Sequence, residues 1–208
     1  MDPELPSRTI TLAFPHSWEA DILPKRPLIL PLCTYTYPRE AEEVERGALE
    51  VMVQPAGKAV KFLATFALGF ADPSVPSGVW SCPFPDELCA VAGGYAYVID
   101  TNDPKQFTQI AFRPVLEVRP LPEHNLLLFA GHHALLAWGT TGQAWQTPRL
   151  SSEGLRITEI RGDELRGFGW DLITDRELPF TIDLRTGEHA GPHPDPAPPD
   201  PAHPGSAR

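Results

Sequence analysis

Apolar and polar positions alternate with a period of two through much of this chain. In Leu49-Glu-Val-Met-Val-Gln, Leu49, Val51 and Val53 alternate with Glu50, Met52 and Gln54. That is strand spacing with one face turned to a core. Four times, an apolar run is followed by a glycine turn and a second apolar run. The turn glycines are Gly57, Gly93, Gly131 and Gly162, spaced by 36, 38 and 31 residues. Two of these units, Leu88–Ile99 and Leu126–Ala137, align without a gap. The adjacent pair Gly93-Gly94 supplies the positive φ angles that a two-residue hairpin demands.

Each later unit carries a further turn and strand. Asp100-Thr-Asn-Asp-Pro104 leads to Phe107–Phe112, Thr140-Thr-Gly-Gln143 to Ala144–Thr147, and Thr174-Asp-Arg-Glu177 to Phe180–Leu184. Short strands with regular turns predict an all-β domain built of repeated antiparallel hairpins or a meander. These repeats, with Thr-Gly turns at Trp138–Trp145 and Asp183–Glu188, resemble β-propeller blades over roughly residues 48–191. Blades usually run ~40 residues or more, and a propeller needs ~4 of them. Trp170-Asp171 occurs once, so no Trp-Asp ends the repeats in register. The resemblance implies a small propeller-like array; hairpins sharing turn glycines in a sandwich fit the pattern equally.

The flanks differ. Residues 1–47 are punctuated by Pro3, Pro6, Pro15, Pro24, Pro27 and Pro31. Proline has no amide hydrogen and is confined to the edges and turns of sheets. This stretch reads as a Pro-rich arm laid across the domain, adding an edge strand, with a short helical turn from Pro38 to Gly47. Residues 48–190 form the repeat domain. Residues 191–208 hold seven prolines and no aliphatic side chain larger than Ala, which predicts a disordered or polyproline-like tail.

Composition narrows the function classes. The formal net charge is −10, with no basic run. Nucleic-acid binding rests on cations that displace counterions from phosphates, so no nucleic-acid partner is expected, nor an anionic membrane. Acid stands at Asp2 and Glu4 where a signal peptide carries base, and no stretch approaches ~20 apolar residues. A cytoplasmic protein with a protein partner or a small ligand is the expectation; oligomeric state is left open. Cys33, Cys82 and Cys89 are an odd set that argues against a disulfide framework. Cys82 and Cys89 read as a turn and a core residue ahead of a redox pair or half a metal site, and neither metal nor cofactor is expected.

Flat aromatic faces beside carboxylates can stack on sugars or hold cations. Trp80, Trp138, Trp145, Trp170 and Asp171 are therefore the candidate ligand surface. The leading expectation is a noncatalytic binding protein that uses its turn loops and tryptophans. The alternative is a hydrolase of sugars or esters. It would use the acids Asp163, Glu164, Asp171, Asp175 and Glu177, or the cluster from His124 to His133 with His132, converging on a carboxylate such as Asp163. Asp100, Asn102 and Asp103 hint at calcium, but Pro104 and Lys105 break the loop pattern and leave an Asx turn. Ser151-Ser152 has no activating partner in sequence, and His189, His193 and His203 lie in or near the tail.

Overall fold

Period-two alternation sorts the side chains of each central strand into two different cores. The computed structural model describes residues 9–38, 47–57, 59–70, 72 and 75–191. The helical candidate after Pro38 and the tail from residue 192 lie outside the described residues. The strands are β1 (Thr9–Thr11), β2 (Glu19–Leu23), β3 (Cys33–Tyr37), β4 (Ala48–Gln54), β5 (Phe62–Ala67), β6 (Gly78–Ser81), β7 (Glu87–Ala92), β8 (Tyr95–Asp100) and β9 (Phe107–Gln109). They continue as β10 (Glu117–Leu121), β11 (Leu126–Ala130), β12 (Leu135–Gly139), β13 (Gly142–Gln146), β14 (Leu155–Arg161), β15 (Glu164–Asp171), β16 (Arg176–Asp183) and β17 (His189–Ala190).

They form four sheets. The first has the order β2-β4-β5-β3 and the second β1-β6-β7-β8-β9. The third is the meander β10-β11-β12-β13, and the fourth the meander β14-β15-β16-β17. Each of the four hairpins expected from the glycine repeat falls in a different sheet. Gly93 and Gly94 adopt φ of +54° and +76°, so the turn uses the left-handed region that glycine enters without steric cost.

Three apolar clusters join the sheets face to face in chain order. Leu49, Val51 and Val53 of β4 meet Leu88, Ala90, Tyr97 and Ile99 of the second sheet. The opposite face of that sheet, with Cys89, Val91 and Val98, meets Leu127, Phe129 and Leu136 of the third. The third sheet turns Leu128, Leu135 and Ala137 toward Leu165, Phe180 and Ile182 of the fourth. The second and third sheets are thus covered on both faces, and the first and fourth end the stack. Among the described residues no apolar cluster joins the fourth sheet back to the first. The arrangement is an open, propeller-like array of four sheets.

The proline-punctuated stretch contributes more than the single edge strand its sequence suggests. β1 pairs in parallel with β6, β2 pairs antiparallel with β4, and β3 pairs in parallel with β5. Because β2 and β3 lie at opposite edges of the first sheet, residues 24–32 cross that sheet as a strap. The Arg26 guanidinium stands 3.1 Å from Thr65 Oγ1 and 3.5 Å from Glu50 Oε1, on the face of β4 opposite Val51. Thr65 Oγ1 donates to Glu50 Oε2 at 2.7 Å. The buried carboxylate and hydroxyl are thereby paired, as burial of polar groups requires.

Candidate functional site

At the end of the second sheet where Trp138 of the third comes against it, a cleft gathers several polar groups. β7 begins at Glu87 and β8 ends at Asp100; hairpin register sets these two acids directly opposite each other. From β12, Trp138 reaches across the cleft, and its indole N–H donates to Glu87 Oε2 at 2.8 Å. From the loop before β2, the Trp18 indole N–H donates to the Glu87 backbone carbonyl at 3.0 Å. A cavity of about 470 Å³ opens here, lined by Glu87, Asp100, Lys105, Gln106, Phe107 and Trp138 among others.

The electrostatics follow from this placement. Burial pushes the Glu87 carboxyl above the ordinary glutamate range. The hydrogen bond from Trp138 opposes the rise, and the like charge of Asp100 adds to it. Two carboxyl groups and one ammonium share the cavity, so a bound cation would relieve the repulsion between the acids.

The tryptophans expected to form a ligand surface separate. Trp80 is 6 % exposed in the core between the second and third sheets, and Trp145 is 7 % exposed between the third and fourth. The Trp145 N–H donates to the Leu184 carbonyl at 2.8 Å, which fixes it as a packing residue with a satisfied donor. Trp138 is buried against the core with its polar edge at the cavity. Trp170 is half-buried on the outer face of the fourth sheet, beside Phe168, Arg156 and Glu177 in a shallow groove of about 530 Å³. Asp171 is buried, so it offers no ligand surface. It accepts hydrogen bonds from the Thr174 hydroxyl at 2.5 Å and from the Thr174 and Ile173 amides. Those bonds close the β15–β16 turn and hold its carboxyl below the usual aspartate range.

The residues named for hydrolysis do not converge. His124 Nε2 lies 3.3 Å from Asp163 Oδ1, so the structure brings that pair together. Arg185 also contacts Asp163, at 3.4 Å, and Asp183, at 3.2 Å. His132 and His133 sit at the other end of β11, about 17 Å away for a five-residue strand. Their rings are 5.9 Å apart, and His133 Nδ1 lies 3.1 Å from the Ser151 carbonyl. Glu164 pairs with Arg166 at 2.8 Å and Glu177 with Arg156 at 3.1 Å, on exposed strand faces. Asp175 occupies a left-handed turn position, at φ 54°. A hydrolytic site at these acids or at the histidine cluster is therefore not assembled.

The remaining candidates are structural. Asp100 Oδ1 accepts from the Asn102 and Asp103 amides at 2.8 and 3.3 Å, which is the Asx turn read from sequence. Burial pushes both the Cys82 and Cys89 thiols well up, so both stay protonated and unreactive. Ser151 Oγ is engaged with Gly154, Glu153 and Trp170 backbone atoms. Among the described residues no three of His, Cys, Asp and Glu gather as a metal site. His189 lies in β17, while His193 and His203 fall outside the described residues.

Glu87 is the site residue that the sequence reading passed over, although a signal existed. A two-residue turn at Gly93-Gly94 pairs Ala92 with Tyr95 and, counting outward, Glu87 with Asp100. Two acids forced opposite each other at the end of an apolar hairpin are costly unless something uses or compensates them.

No protein-family model matches the chain, and no curated protein matches it. Solved structures align with it at low similarity. Apo AztD from Citrobacter koseri aligns at 10% identity and TM-score 0.41, over 69% of this chain and 42% of that one. A chain of the S. cerevisiae complex of Dbp5 bound to Nup159, Gle1, IP6 and ADP aligns at 12% and TM-score 0.39, over 88% and 52%. The N-terminal domain of Nup159 aligns at 13% and TM-score 0.35, over 93% and 55%. The chain thus spans about half the length of the proteins it matches. Among the described residues no helix is long and apolar enough to cross a membrane.

Proposed function

We propose that this chain is a noncatalytic binding protein whose site is the cleft between the second and third sheets. It takes a positively charged group, either a small amine or a basic side chain of a partner protein. The observation that supports this is the Trp138 indole hydrogen-bonded to Glu87 at the wall of a cavity that also holds Asp100. The cavity is rigid because its acids end paired strands and its indole is anchored in a core. A cation entering it meets the carboxyl groups of Glu87 and Asp100 at little ordering cost. The overall charge of −10 adds long-range attraction for such a ligand.

Calorimetric titration tests the reading, with spermidine and a short Lys-rich peptide as probes and glucose as the neutral control. The wild-type chain binds at least one cationic probe. Glu87→Gln and Asp100→Asn each weaken it about tenfold or more, the equivalent of ~1.4 kcal/mol. Equal affinity in wild type and both variants, or a preference for glucose, would sink the proposal.

A further inference from the structure

Trp80, Trp138 and Trp145 are each buried in a core, whereas Trp170 lies on the outer face of the fourth sheet. On β15, Phe168 and Trp170 stand two residues apart on that face, about 7 Å along the strand. Register sets Phe168 between Arg156 of β14 and Pro179 of β16, and Trp170 beside Glu177. Counting on from Leu155 opposite Gly169, the neighbour on the other side of Trp170 is Gly154. A Cβ added at Gly154 would meet nothing within 4 Å. With no side chain there, the groove of about 530 Å³ runs open past the indole. Leu172 and Ile173, in the turn that follows, are 69 % and 70 % exposed, so apolar surface continues beyond Trp170.

The polar groups of this groove are unequally engaged. The Arg156 guanidinium lies 5.2 Å over the Phe168 ring and bonds Glu177 at 3.1 and 3.3 Å, so that cation and that carboxylate offset each other. Glu153 is exposed at the groove and forms no ion pair among the described residues. The indole N–H groups of Trp18, Trp138 and Trp145 all reach acceptors. That of Trp170 reaches none among the described residues. The groove thus offers an aromatic floor, an unused N–H donor and an uncompensated carboxylate. β15 lies between β14 and β16, so it presents no free backbone edge.

We infer that this groove binds a proline-rich segment of a partner protein that carries a Lys or Arg at one end. A ligand on a sheet face is held by side chains and is not added as a strand. A polyproline II segment suits those terms: it makes no internal hydrogen bonds, so its carbonyls are free to accept, and its proline rings pack into aromatic-lined grooves. Its rings lie on Trp170 and against Phe168, one carbonyl accepts from the Trp170 N–H, and its basic end pairs with Glu153. The segment is extended before it docks and loses little entropy, which a groove this shallow requires. This site is separate from the cation cleft and stands or falls without it.

Three capped, fluorescein-labelled peptides serve as probes: Pro-Pro-Ala-Pro-Pro-Arg, its counterpart with Glu for Arg, and its counterpart with Gly for every Pro. Binding to the full chain is read by fluorescence anisotropy, and the place of binding by the NMR signals of the indole N–H groups. The proline–arginine peptide binds at least tenfold more tightly than either control and shifts the Trp170 indole signal. Trp170→Ala weakens it at least tenfold while far-UV circular dichroism and Tm stay those of wild type. Trp170→Phe, which keeps a ring but no N–H, weakens it severalfold. Glu153→Lys reverses the preference for Arg over Glu. Three results overturn the inference: equal binding of the proline and glycine peptides, wild-type affinity in both Trp170→Ala and Glu153→Lys, or a shifted Trp138 indole signal with that of Trp170 unmoved. The last would mean that the arginine enters the cation cleft instead.

Discussion

The second and fourth sheets use the same hairpin and end in opposite conditions. In the second, β7 and β8 run Leu-Cys-Ala-Val-Ala and Ala-Tyr-Val-Ile almost without a polar residue, because each face meets a core. In the fourth, β14 alternates Leu155, Ile157 and Ile160 with Arg156, Thr158, Glu159 and Arg161, with one shift of register between Ile157 and Glu159. One face packs on the third sheet and the other carries the Arg156–Glu177 and Arg166–Glu164 ion pairs in water. In this pair the continuous apolar runs belong to the sheet inside the stack and the alternating run to the fourth sheet at its end, whereas β5 of the first sheet, crossed by the strap, is buried along its whole length. The difference shows that the array is open: a closed ring of equivalent blades would give every sheet two packed faces.

Truncation should show the contrast at its largest. Phe129 of β11 is fully buried between the second and third sheets, so Phe129→Ala is expected to cost about 3–5 kcal/mol. Phe168, half-buried on the outer face of β15, is expected to cost about 1 kcal/mol or less on the same change. Urea denaturation of the two variants measures both. Comparable losses would mean that the outer face of the fourth sheet is covered after all.

The hairpin turns sharpen the same comparison at smaller scale. Gly93 and Gly162 both sit at positive φ, +54° and +58°, where a side chain costs about 1–2 kcal/mol. At Gly93 an added Cβ would also meet the Phe70 carbonyl at 2.4 Å, whereas at Gly162 nothing lies within 4 Å. Gly93→Ala is expected to lose roughly 3 kcal/mol and Gly162→Ala about 1 kcal/mol, read as Tm shifts. Equal shifts would show that the inner turn has room to move.

The smallest effect is a pH dependence with two signs. Glu87, in the inner cleft, has its pKa raised on folding by burial. Its contribution favours the folded state below the ordinary glutamate pKa and is lost as pH rises through the raised value. Asp171 and Asp183 of the fourth sheet have theirs lowered, chiefly by hydrogen bonds from Thr174 and Arg185. Their contribution is present above the ordinary aspartate pKa and is lost as pH falls. Glu87→Gln keeps an acceptor for Trp138 and removes the titration, so Tm should fall less than in wild type between pH 4 and 7. A variant profile parallel to wild type would remove Glu87 from the account.

Much of this fold is legible in the sequence because strand periodicity and turn glycines are local signals. The hairpins at Gly57, Gly93, Gly131 and Gly162 and the one-sided packing of Leu49, Val51 and Val53 are read directly. The parallel pairs β1–β6 and β3–β5 are not, because no turn joins their strands and prolines hide the strand pattern around them. Tryptophans are equally silent. The same residue type fills a core at Trp80 and Trp145, edges a cleft at Trp138 and lies on an outer face at Trp170. Sheet order decides which, and that order is set by packing rather than by local pattern. The Glu87–Asp100 pair lay within reach, since turn register fixes it, but its meaning depends on Trp138 arriving from another sheet.

The claim that the stack is open is tested most directly by native-state hydrogen exchange resolved to individual strands. The account predicts slowest exchange in β7, β8, β11 and β12, at rates set by global unfolding, with β14 to β16 faster by at least tenfold. Protection in β14 to β16 equal to that of β7 and β8 would contradict it, showing the fourth sheet packed on both faces.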